Sequence, residues 1–67
     1  MRGPYQETRR IPHSLKELPQ NPQGLKWQIT LTPHQGQDVV CPAGKSLLEA
    51  FEKAGEVLRT QFPGSTL

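Results

Sequence analysis

The chain has 67 residues, is 33% hydrophobic and carries a formal net charge of +2. A chain this short closes at most one small core worth a few kcal/mol of net stability, which excludes a two-domain nucleotide or metal enzyme. Its one cysteine, Cys41, excludes an internal disulfide framework and any zinc site of four cysteines, or of two cysteines and two histidines.

No apolar run approaches the ~20 residues that span a bilayer, and the first residues lack the apolar stretch of a secretory signal. The expectation is a soluble, cytoplasmic protein with a reduced thiol and no membrane partner. The positive charge is unevenly spread. Residues 1–24 set Arg2, Arg9, Arg10 and Lys16 against Glu7 and Glu17, whereas the remainder balances Lys26, Lys45, Lys53 and Arg59 against Asp38, Glu49, Glu52 and Glu56.

Pro4, Pro12, Pro19 and Pro22 remove backbone donors from residues 1–24 and block a long helix or central strand there. This segment reads as a basic, Pro/Gln-rich, disordered arm. One island interrupts it. The stretch SLKEL has the Ser-x-x-Glu form of a capping box, and Ile11, Leu15 and Leu18 fall at helical spacing, so a single turn could pack on its own domain or fold on a partner.

From Leu25 the pattern becomes period two. Leu25, Trp27, Ile29 and Leu31 point one way and Lys26, Gln28, Thr30 and Thr32 the other, the mark of a half-buried strand with Trp27 in the core. The turn residues PHQG and a return strand from Gln37 to Cys41 complete a β-hairpin with a four- or five-residue loop.

Ser46 and Glu49 form a second capping box ahead of an apolar run, predicting a helix start. Leu47, Leu48, Phe51, Ala54, Val57 and Leu58, continuing to Phe62, make one stripe, with Glu49, Glu52, Lys53, Glu56 and Arg59 outside it. Gly55, which costs about 1 kcal/mol against Ala in a helix, suggests a close approach to the sheet. Pro63-Gly64 ends the helix. The fold class expected is α+β: a ββα domain over residues 25–67, in which a β-hairpin packs on one C-terminal helix, behind a disordered arm over residues 1–24.

The Gly44-Lys45-Ser46 triplet invites a phosphate-binding reading. A P-loop needs a glycine five residues before Gly44, where this chain has Val39, so Gly44 is expected to make a turn and Ser46 to cap the helix. His13, His34 and Cys41 are the remaining groups with catalytic or metal-binding chemistry. So few ordered residues can hardly enclose a nucleophile, its base and an orienting group, so no enzyme activity and no metal are expected.

Residues 29–55, ITLTPHQGQDVVCPAGKSLLEAFEKAG, resemble the opening hairpin and helix of β-grasp domains, most closely plant-type 2Fe-2S ferredoxins. Pro42, Gly44, Ser46, Leu47, Leu48 and Ala50 match the family's Pro-x-Gly-x-Ser/Thr-Leu-Leu-x-Ala entry into its helix. That family binds iron through a Cys-x4-Cys-x2-Cys loop after the helix and a fourth cysteine further on. Phe62 and Leu67 stand at the first two ligand positions here, so the resemblance implies ββα geometry without a cluster, and no cofactor is expected.

A hairpin with one helix leaves sheet edges unpaired, which homodimerisation or pairing with another protein's sheet would satisfy. The function expected is therefore a small protein-interaction module, acting as regulator, inhibitor or accessory subunit, with Ile11, Leu15, Leu18, Thr30, Gln37 and Val40 as its contact residues. The alternative is a nucleic-acid-binding accessory protein using Arg2, Arg9, Arg10, Lys16 and Lys26, with Tyr5 available to stack.

Overall fold

The computed structural model describes residues 9–67. Six elements follow in chain order: β1 (Arg9–Arg10), β2 (His13–Glu17), β3 (Trp27–Leu31), β4 (Val39–Val40), α1 (Leu47–Gln61) and β5 (Ser65–Thr66). An antiparallel sheet of order β2-β3-β4 packs on α1, and β1 pairs parallel with β5 in a second, two-stranded sheet. This is a small α+β fold in which a β-hairpin lies against one C-terminal helix.

The alternation in β3 sets the two faces of the sheet. Ile29 and Leu31 are fully buried toward the helix and Trp27 is half-buried beside them, while Gln28 and Thr30 turn away. Above them α1 presents Ala50, Ala54 and Leu58, spaced one turn apart. The two alanines have no accessible surface, and their small side chains let the helix come close to β3. Ile11 and Cys41 complete the core, with Val39, Val57, Phe62 and Leu67 around it. Full burial of each large aliphatic chain is worth about 1.5–3 kcal/mol.

The helix begins as its sequence predicts. Ser46 Oγ accepts the Glu49 N–H at 3.1 Å, and Glu49 Oε1 accepts the N–H of Lys45 at 2.6 Å. It ends in a Pro-Gly reversal. The Ser65 N–H donates to Phe62 O at 3.1 Å around Pro63 and Gly64, and Gly64 takes the positive φ of 83° that such a turn needs at its third position. The turn delivers β5 alongside β1, where the Ile11 N–H donates to Thr66 O at 2.7 Å.

Four expectations are corrected. Residues 9–24, assigned to a disordered arm, are built into the fold, and the boundary expected after residue 24 falls inside the β2–β3 connection. The SLKEL island is strand rather than a helical turn. A lone capping box fixes too few hydrogen bonds to outweigh a full five-residue ladder with β3. The β3–β4 connection covers residues 32–38, longer than expected, because pairing stops at Leu31 with Val39. Gly55 makes no close approach, since a Cβ there would meet only the Arg59 guanidinium at 3.6 Å. The tight contact lies at Gly44, where a Cβ would sit 2.6 Å from Ala50 N.

Candidate interaction surface

In an antiparallel ladder, alternate residues turn their N–H and C=O toward the partner strand and away from it. The Thr32 N–H donates to Pro12 O at 2.8 Å and the Leu18 N–H to Lys26 O at 2.7 Å, so even-numbered residues of this segment face β3. His13, Leu15 and Glu17 therefore point their backbone groups outward. Among the described residues β2 pairs only with β3, which leaves this edge open. Thr66 beside Ile11 bounds it at one end and Pro19, which has no N–H, at the other.

The side chains of those residues lie on the helix side, because His13 is opposite Leu31, Leu15 opposite Ile29 and Glu17 opposite Trp27. The His13 ring meets Phe51 edge-on, with centroids 6.0 Å apart and planes at 82°. That contact turns the Phe51 flank of α1 toward β2. Leu47 and Phe51 are one turn apart there and Leu48 is three residues before Phe51. Leu15, Leu47, Leu48 and Phe51 remain 43%, 45%, 69% and 38% exposed. An open strand edge thus lies beside apolar side chains that the domain does not cover.

The residues singled out for partner contact do not form one surface. Ile11 is in the core at 6% exposure, where a partner cannot reach it. Leu15 lies at the open edge. Leu18 is half-buried against the β2–β3 loop, whose shape is held by Asn21: its Oδ1 accepts the Leu25 N–H at 2.9 Å and its Nδ2 donates to Leu25 O at 2.7 Å and Pro19 O at 2.9 Å. Thr30 and Val40 are cross-strand partners on the opposite face from Leu15, and Gln37 is exposed in the loop before β4.

Leu47, Leu48 and Phe51 were assigned to the core stripe. At 3.6 residues per turn, positions 47 to 58 of that stripe sweep about 180°, wider than the ~100° one sheet covers. The excess width was the signal that part of the helix faces elsewhere.

The basic residues are dispersed. Arg2 lies outside the described residues. Arg9 and Arg10 line a cleft of about 480 Å³ together with Ile11, Pro33, His34, Gln35, Phe62 and Ser65. Lys16 is on the sheet face turned away from the helix, opposite Gln28, and Lys26 immediately precedes β3, 3.9 Å from the Glu17 carboxylate and over the Trp27 ring. Pairing along the whole of β2 separates the two ends.

Gly44 and Lys45 hold no phosphate cradle. The Gly44 N–H donates to Trp27 O at 2.8 Å, and the Lys45 N–H is occupied by the Glu49 carboxylate, which places negative charge where an anion would sit. Cys41 is buried, and burial pushes its thiol above its ordinary value. Among the described residues no three His, Cys, Asp or Glu side chains gather as a metal site, and no helix is long and apolar enough to cross a membrane. In comparisons with protein families, curated proteins and solved structures, nothing matches the chain.

Proposed function

We propose that this protein is a non-enzymatic protein-interaction module, a regulator, inhibitor or accessory subunit that docks through β2 and the adjoining flank of α1. The observation that carries the reading is the open edge of His13, Leu15 and Glu17 lying beside exposed Leu15, Leu47, Leu48 and Phe51. Strand addition uses both halves of such a surface. Main-chain bonds supply affinity and neighbouring apolar side chains supply selectivity. In this reading the resemblance of residues 29–55 to ferredoxin-like domains extends to ββα geometry alone, and Cys41 works as a packed, reduced thiol in the cytoplasm.

The test is affinity capture from extracts of the source cells, with wild type and Leu15→Lys as parallel baits. A discrete protein retained by wild type and released by the variant supports the module. If neither another protein nor a second copy distinguishes the two baits, the reading fails.

A second reading, nucleic-acid binding, is favoured by one observation: Arg9, Arg10 and His34 share a cleft that, among the described residues, has no carboxylate in its lining. It predicts duplex binding that weakens steeply with salt and is lost in Arg9→Ala/Arg10→Ala. Unchanged affinity in that variant removes it.

A further inference from the structure

We propose that the partner at the β2 edge is a second copy of this chain, paired antiparallel about a two-fold axis at Leu15, so that two three-stranded sheets become one continuous sheet. The inference rests on the interaction-module reading above and names its occupant.

Three observations select this register. First, an isologous antiparallel pair must oppose outward-facing residues to outward-facing residues, which puts the two-fold axis on a residue rather than between two, and only an axis at Ser14, Leu15 or Lys16 opposes at least two of His13, Leu15 and Glu17 to one another. Second, an axis at Ser14 would oppose Ile11 to Glu17, yet the Ile11 N–H is already given to Thr66 O. An axis at Lys16 would oppose His13 to Pro19, which has no N–H, and set Lys16 against its own copy. Third, the axis at Leu15 lies at the middle of the open stretch. There Leu15 faces Leu15, and His13 and Glu17 each face the other residue of the second chain, every opposed pair exchanging both N–H···O=C bonds.

The side chains agree with that register. An imidazole is set against a carboxylate on both sides of the axis, Ser14 opposes Lys16, and no like charges meet. The competing partner of Glu17, Lys26, is 3.9 Å away in an exposed pair of little energetic weight. On the helix side Leu15 meets its copy two residues along the strand from His13, whose ring touches Phe51, so that pairing would draw the two exposed apolar flanks together.

The experiment is sedimentation velocity over a concentration series, with circular dichroism to verify that each variant is folded. Wild type is expected to dimerise. Leu15→Lys removes the apolar burial of both Leu15 side chains, sets two ammonium groups against each other on the axis and is expected to weaken the dimer by about tenfold or more. Glu17→Lys faces His13 and should weaken it about tenfold, and adding His13→Glu should restore most of the loss, because only this register opposes residues 13 and 17. Amide exchange gives a second readout that requires no substitution: the outward N–H groups of His13, Leu15 and Glu17 become protected as concentration rises.

Wild type that is monomeric at every concentration overturns the proposal, as does a dimer indifferent to Leu15→Lys or one that the double substitution fails to rescue. Monomeric wild type that still captures another protein through Leu15 sinks the second-copy inference and leaves the module standing. A monomer that captures nothing sinks both.

Discussion

Gly44 and Trp27 are tied by two hydrogen bonds: the Trp27 N–H donates to Gly44 O at 3.0 Å and the Gly44 N–H donates to Trp27 O at 2.8 Å. The bridge fixes the start of α1 against the start of β3. The Lys26 N–H also donates to Gly44 O, at 2.9 Å, and the backbone of Glu49 and Ala50 closes over the space where a side chain would stand. Gly44→Ala should destabilise the domain by about 3 kcal/mol, since backbone rather than a flexible side chain must move. Thermal unfolding should show a drop in Tm of more than roughly 10 °C. An unchanged Tm would mean that the helix start can shift freely on the sheet.

Asn21 makes its three bonds within the β2–β3 loop and none outside it. Asn21→Ala should therefore cost about 1–2 kcal/mol in urea unfolding, through loss of the bonds that close the loop. Asn21→Asp keeps the acceptor for Leu25 N–H and loses the donor, so its midpoint should fall between the other two.

Ser46→Ala removes the helix cap and should cost about 1 kcal/mol. Glu49→Ala removes the acceptor for the Lys45 N–H. Because both side chains organise the same first turn, their combined effect in urea unfolding should depart from the sum of the single effects. Strict additivity would show that the two caps act independently.

Cys41 gives a pH dependence of known sign. Burial raises its thiol above the ordinary 9.0, so the folded chain holds that proton at pH values where the unfolded chain releases it. The stability contribution is complete below 9.0 and is lost as pH climbs through the folded value. The urea midpoint of wild type should fall more steeply above that pH than that of Cys41→Ala. Parallel slopes would contradict the assignment. A thiol reagent at neutral pH should label Cys41 only at the rate at which the chain opens.

Local signals carried through where one face of an element met one partner. The alternation of Trp27, Ile29 and Leu31, the cap at Ser46 and the reversal at Pro63-Gly64 each appear in the fold as their residues predict. The segment from His13 to Glu17 did not read as strand, because Ser14 and Glu17 imitate a helix cap and its pairing partner lies beyond a Pro-rich loop. Propensity within five residues is overridden by a ladder formed elsewhere in the chain. Ile11 was legible as apolar, but its place in the core depends on β5 arriving beside β1. The open edge was foreseeable from a two-stranded count. Its location on β2 was not, since β2 itself was unrecognised.

The parallel join of Arg9–Arg10 to Ser65–Thr66 has a kinetic consequence. Each antiparallel hairpin closes a short loop, whereas this join closes almost the whole described chain for two residues of pairing. The small sheet acts as a clasp. By loop-closure cost it is expected to shut after the hairpins have formed and to open before they do, and amide exchange should then find the Ile11 N–H, given to Thr66 O, less protected than the N–H groups shared by β2 and β3.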